Sequence, residues 1–145
     1  KGKDLEITRK ACQKFRNHPV SIMNFVEGTR FTEAKFKRQK SSYKHLLKPK
    51  AGGIAYVLSA MGDTLTDIIN VTITYKSKRD SASIWDMICG NMTHIRVDIE
   101  VIPVHKKILG DYFNDAEFKD YFQEWLNEIW EKKDKLLEDI ATHSG

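Results

Sequence analysis

Cysteine, proline and long apolar runs are all scarce in this chain, and each scarcity excludes something. There are two cysteines, Cys12 and Cys89, 77 positions apart. They form no metal-ligand pair, and they read as buried free thiols. No uninterrupted apolar run approaches the roughly 18–20 residues that span a bilayer. The opening residues, Lys1 to Arg9, are charged and helical in pattern, so no signal peptide is visible. The G-x-S-x-G elbow of a hydrolase, the spacing of a P-loop, and the zinc and EF-hand ligand patterns are all missing. No metal is expected. Three prolines and eight glycines in 145 residues leave no linker, repeat or low-complexity tract, so residues 1–145 read as a single domain of ordinary size.

What is present is a mildly basic globular composition: 41% hydrophobic, 30% charged, net charge +4 and pI near 9.0. The charge is unevenly placed. Lys35, Lys37, Arg38, Lys40, Lys44, Lys48 and Lys50 follow one another without an acid, whereas the stretch from Asp111 onward is acid-rich. A basic segment suits a phosphorylated substrate, a lipid headgroup or a nucleic acid, or is simply a solvated face. The nucleic-acid reading is the weakest. The segment offers only Phe36 and Tyr43 for base stacking, and no recognised module surrounds them.

The order of elements points to an α/β fold, a sheet with helices packed on it. Residues 3–17 read as a helix ended by Asn17-His18-Pro19. Val20 to Val26 is a short, mostly apolar run of the buried-strand type. The next twenty residues, a basic stretch without a clean period, then suggest a loop. Pro49 opens a helix carrying Ile54, Val57, Leu58 and Met61, and Gly62 stops it. Ile68 to Tyr75 is rich in β-branched residues and is the clearest strand. A polar connection over Ser77–Ser83 and a short helix around Ser83–Cys89 follow. His94 to Val104 alternates apolar with polar, as a half-buried strand does. The last element is a long amphipathic helix from Asp115 to about Ala141. An Asn114-x-x-Glu117 capping box opens it, and Phe118, Phe122, Trp125, Ile129, Leu136 and Ile140 recur along it. Its aromatics, with Phe113, Tyr121 and Trp130, suit packing on a sheet better than dipping into a bilayer.

Two places could carry chemistry. Glu27-Gly28-Thr29-Arg30 directly follows the apolar run, where functional groups gather in open α/β sheets. Gly28 permits close backbone approach, and Arg30 offers a planar fork of donors suited to phosphate. The same quartet could equally be a turn with an ordinary Glu–Arg surface pair. The second place is Lys48-Pro49-Lys50-Ala51-Gly52-Gly53, where a helix entrance flanked by lysines makes a candidate anion site around Lys48, Lys50, Gly52 and Gly53. There the alternative is that the glycines only permit tight helix packing.

Phe25-Val26-Glu27-Gly28-Thr29-Arg30 resembles the F-P-E-G-T-R block of the lysophosphatidic acid acyltransferase (1-acylglycerol-3-phosphate acyltransferase) family. Lys48 to Gly53 resembles that family's K-x-G helix entrance, and Ile68 to Tyr75 stands where the family has its V-P-V strand. Asn24 to Thr32 is similar to the N-F-V-E-G-T-R-F-T block of a bacterial inner-membrane subgroup. The likeness covers about residues 3–75, with residues 76–145 as a strand and helical extension. Val26 in place of proline and Asn70-Val71-Thr72 in place of V-P-V are departures that bear on the acceptor preferred.

The resemblance implies the C-terminal half of the glycerophospholipid acyltransferase fold. Arg30 would hold the acceptor's phosphate, Glu27 would position its glycerol part, and Gly28 and Thr29 would shape the turn. The substrates would be a lysophospholipid acceptor and acyl-CoA or acyl-carrier protein as donor, with no further cofactor and no nucleic acid. Family members use a histidine base in H-x-x-x-x-D to take the acceptor's proton as its hydroxyl attacks the thioester. Here Met23, Lys50, Ile99 and Gly110 stand five residues after His18, His45, His94 and His105, and His143 lies too near the end. His94 and Asp98 are one residue too close and read as a structural or solvent pair. The expectation is therefore a soluble C-terminal fragment without a catalytic residue. Its parent would act at the cytoplasmic face of a bacterial inner membrane, held there by the missing N-terminal region. The other reading is a non-catalytic module binding anionic lipid or phosphate.

Overall fold

Local punctuation decides where the helices begin and end. In the computed structural model, which describes residues 20–77 and 88–143, helix α1 spans Glu33–Gln39, α2 spans Ala51–Met61 and α3 spans Ala116–His143. Strands β1 (Asp67–Ser77) and β2 (Met92–Pro103) pair antiparallel, and a single 3-10 turn covers Lys106–Ile108. The fold is mixed α/β with a long C-terminal helix, as the sequence pattern implied. The expected helix over 3–17 lies outside the described residues, as does most of the one around Ser83–Cys89.

Helix α1 corrects the expectation of a loop. The Thr32 side-chain oxygen accepts the Lys35 amide N–H at 3.3 Å, Glu33 sits in the first turn and Lys37 and Arg38 in the last. Those placements satisfy an orphan donor and complement the helix dipole. Helix α2 starts just after Pro49 and stops at Gly62, as read from the sequence. Its buried stripe is Ala51, Ala55, Leu58 and Met61, with Ile54 and Val57 only half-buried.

Helix α3 begins one residue later than its expected start. Its cap is Asp115, whose carboxylate accepts the Phe118 N–H at 3.0 Å. Asn114 instead belongs to a preceding turn in which the Asp111 carboxylate accepts the amides of Phe113 and Asn114. The buried side chains of α3 are Phe122, Leu126 and Trp130, four residues apart. Trp125 and Ile129 are half-buried beside them, and Phe113 and Tyr121 are exposed.

The described residues fall into two compact units. One contains the chain up to Thr66 and from Val104 onward, and its core joins Tyr43, Leu47, Ala51, Ala55, Leu58, Met61 and Ile108 with the α3 stripe. The other is the β1–β2 ribbon, residues Asp67–Pro103. Its register pairs Ile69 with Val101, Val71 with Ile99, Ile73 with Val97 and Tyr75 with Ile95. The period of two therefore puts all eight on one face. Against the expectation of a half-buried strand, these side chains are 42–65% exposed. The polar face satisfies itself: Arg96 clasps Asp98 at 2.7–2.8 Å and Asn70 donates to Glu100 at 3.0 Å. Asp98 thus pairs with Arg96 and not with His94. Cys89, expected buried, is exposed in the turn before Gly90.

Candidate functional site

The run Val20–Val26 is not a strand; it has irregular backbone that ends in a tight turn. Met23 is 82% exposed and Phe25 77%. Two of its carbonyls serve other bonds. Phe25 O accepts the Gly28 N–H at 2.8 Å, closing the turn, and Val26 O accepts the Lys50 N–H at 2.8 Å. Gly28 takes a left-handed φ of +67°, which a side-chain-bearing residue adopts only at a cost. The Lys50 side chain lies across the space that a Cβ there would need, with Nζ 3.3 Å away.

This bond to Val26 merges the two candidate places into one. Lys50, the residue before α2, lies against the Glu27–Arg30 turn. Gly53 belongs to the same arrangement, because a Cβ there would fall 3.2 Å from the Asn24 side-chain amide. Gly52 and Lys48 do not join it on the same terms. Nothing lies within 4 Å of where a Gly52 Cβ would be. Lys48 is exposed, and its amide donates to Gln39 Oε1 at 3.1 Å.

Glu27 is the inward-facing member of the quartet. Its Oε1 accepts the Leu47 N–H at 3.1 Å. Partial burial raises its pKa, opposed by that hydrogen bond and by the charge of Lys133. Leu47 is fully buried, and its carbonyl accepts the indole N–H of Trp130 at 3.1 Å. A continuous path therefore runs from α3 through Leu47 to the carboxylate of the motif. Lys133 also sits over the Trp130 ring, 5.2 Å from its centroid.

Part of the basic segment is used to dock against the acidic helix. The amides of Lys44 and His45 both donate to the Asp134 carboxylate at 2.7 Å. The Lys44 ammonium and the His45 ring reach Glu138 at 2.9 and 2.8 Å, contacts that lower the Glu138 pKa. The asymmetry of charge along the sequence is thus partly an internal pairing.

The turn is also reached by Lys35, which sequence reasoning named only as one cation of the basic segment. Its ammonium donates to Thr29 Oγ1 at 2.6 Å and to the Arg30 carbonyl at 3.2 Å. The Arg30 side chain itself is exposed. Lys35 and Lys50 therefore bring two ammonium groups to the glycine-containing turn that also carries the exposed Arg30, a set of cations suited to an oxyanion. Spacing alone carried no signal for Lys35, because it lies outside the motif and reaches back from the first turn of α1. Trp130 is 83 residues from Leu47 and equally silent in sequence. Among the described residues no group of three or more His, Cys, Asp or Glu side chains could hold a metal ion, and no helix is long and apolar enough to cross a membrane.

A curated acyltransferase of Schizosaccharomyces pombe is 25% identical to this chain over 151 residues, 95% of the chain and 42% of the relative. The mouse 1-acyl-sn-glycerol-3-phosphate acyltransferase delta is 22% identical over 94% of the chain and 36% of its own length. The chain is thus similar to curated acyltransferases. A third member of this set, the 2-acyl-1-lysophosphatidylinositol acyltransferase of Saccharomyces cerevisiae, is 26% identical over 83% of the chain and 32% of the relative. This acyltransferase-related chain spans about two fifths or less of the curated relatives it matches. No protein-family model and no solved structure matches it. The likeness extends well past residue 75, into the sequence that forms β2 and α3.

Proposed function

We propose that this chain carries the acceptor-phosphate-binding half of an acyltransferase that moves a fatty acyl group from acyl-CoA or acyl-carrier protein to a lysophospholipid such as 1-acylglycerol-3-phosphate. The observation that supports this reading best is the placement of the Lys35 and Lys50 ammonium groups against the turn that carries Arg30. In the reaction the acceptor hydroxyl attacks the thioester carbonyl, an ester C–O bond forms, the C–S bond breaks and the thiol leaves with the proton. The contribution of these residues is to hold the phosphate so that the hydroxyl is presented in a fixed place. Arg30 takes the phosphate, Glu27 positions the glycerol part, Gly28 and Thr29 shape the turn, and Lys50 adds charge beside it. The general base lies outside these 145 residues, since none of the five histidines has the required aspartate spacing. The reading places the intact enzyme at the cytoplasmic face of a bacterial inner membrane, where its acceptor resides.

The test is acyl transfer by the intact enzyme carrying Arg30→Ala. Loss of a charge-assisted phosphate contact costs about 1.5–3 kcal/mol, so kcat/KM for the acceptor should fall by roughly 10- to 150-fold. Unchanged kinetics would remove Arg30 from the site. A second reading, a non-catalytic phosphate- or anionic-lipid-binding module, draws on the missing histidine–aspartate pair. It predicts phosphate binding with no thioester turnover even in the intact protein.

A further inference from the structure

We propose that Lys35 is a further acceptor-binding residue, and that its ammonium fits the site to a phosphate monoester in preference to a phosphate diester. The inference rests on the reading of the Glu27–Arg30 turn as a phosphate site.

Three observations converge on Lys35. First, it is held in place from both ends. Its own amide donates to the Thr32 cap, and its ammonium bridges Thr29 Oγ1 at 2.6 Å and the Arg30 carbonyl at 3.2 Å. The charge is therefore fixed beside the two residues that the phosphate would touch, without the entropy cost of ordering a free lysine. Second, the ammonium still has capacity. It carries three N–H donors, and two are used within the turn. Because it donates to Thr29 Oγ1, the hydroxyl hydrogen of Thr29 is left to point elsewhere, as a donor to a ligand oxygen. Third, its charge is not neutralised. Lys37 has Glu33 at 3.9 Å and Lys44 has Glu138 at 2.9 Å, whereas among the described residues no carboxylate stands within 4.0 Å of Lys35, Lys50 or Arg30. Glu33, the nearest acid along the chain to Lys35, faces Lys37, and Glu27 turns its Oε1 to the Leu47 amide.

The number of charges decides what such a site holds best. A phosphate monoester carries between one and a half and two negative charges at neutral pH and three terminal oxygens. A diester carries a single charge on two oxygens. Each cation attracts the monoester up to about twice as strongly as the singly charged diester, so a third cation widens the preference for the monoester. Lys35 therefore separates acceptors with a terminal phosphate from those whose phosphate is already bridged to a headgroup.

The experiment is a titration of the chain, followed by amide NMR shifts, with methyl phosphate and with dimethyl phosphate. Wild type, Lys35→Gln, Lys35→Arg and Arg30→Gln are compared, with far-UV circular dichroism confirming that each is folded. The wild type should bind methyl phosphate about tenfold more tightly than dimethyl phosphate, with the largest shifts at Gly28 to Arg30. Lys35→Gln should narrow that ratio, Lys35→Arg should keep it, and Arg30→Gln should weaken both ligands. If Lys35→Gln weakens both ligands equally, or neither, while binding still depends on Arg30, Lys35 only braces the turn and the inference fails alone. If the folded wild type binds neither ligand, the phosphate reading fails and takes the inference with it.

Discussion

Replacing Trp130 with phenylalanine should weaken the chain by about 2 kcal/mol and loosen the motif more than 80 residues away. The indole N–H donates to the Leu47 carbonyl at 3.1 Å, and Leu47 is fully buried. Phenylalanine fills most of the ring's space but leaves that carbonyl without a partner where water does not reach. An unsatisfied buried acceptor costs about 1–3 kcal/mol, and the smaller ring adds a modest cavity term. Divided by a urea dependence of about 2 kcal/mol per molar, this shifts the unfolding midpoint by about 1 M. Far-UV circular dichroism is the suitable probe, because α3 supplies most of the helical signal and the substitution alters fluorescence directly. Trp125→Phe is the control: that ring is half-buried and its recorded contact is with the Phe122 ring. Hydrogen exchange supplies the second readout. The Leu47 amide, bonded to Glu27 Oε1, and the Gly28 amide should both exchange faster in Trp130→Phe. A midpoint shift no larger than that of Trp125→Phe, with unchanged exchange at Leu47 and Gly28, would refute the path from α3 to the motif.

Three further outcomes follow from the same geometry. Gly28→Ala must hold a side chain at a φ of +67° and displace the Lys50 side chain, so it should cost about 1–2 kcal/mol in the same urea assay. Glu27 has a raised pKa, first because of burial, so the native state binds its proton more tightly than the unfolded chain does. Stability from this group is then lost as pH rises through the window between the ordinary glutamate range, about 4.3, and its raised value. Glu27→Gln, which keeps an oxygen for the Leu47 amide, should flatten that fall in a urea series from pH 4 to 8; a slope equal to wild type would contradict it. The apolar face of the ribbon leaves eight side chains exposed, a surface prone to self-association. The double substitution Ile73→Thr and Ile99→Thr should raise the soluble concentration limit while preserving strand content, as measured by sedimentation and circular dichroism.

Much of the fold was legible because its signals are local. Pro49 and Gly62 bracket α2, β-branched residues mark β1, and strict alternation marks β2. Expectations failed where a tertiary partner decided the outcome. Val20 to Val26 has the composition of a buried strand, but the Phe25 and Val26 carbonyls are taken by Gly28 and Lys50, so no ladder forms there. The segment after Thr32 lacks an apolar period, yet a side-chain cap and well-placed charges are enough for two turns of helix. At the site, the motif residues were visible by their chemistry and by family likeness. Lys35, Leu47 and Trp130 were not, because their roles depend on contacts that no spacing rule connects. The sequence also offered Lys48 and Lys50 as equivalents, and the bond from Lys50 to Val26 and its side chain against Gly28 separate them.

The central claim is that the turn at Glu27–Arg30 binds the phosphate of a lysophospholipid acceptor. Its most direct test is an amide NMR titration of this chain with glycerol 3-phosphate, comparing wild type with Arg30→Gln. The account predicts saturable shifts concentrated at Gly28, Thr29, Arg30 and Lys50, and at least a tenfold loss of affinity in the variant. Absence of shifts at that turn, or equal affinity in the two proteins, would contradict it.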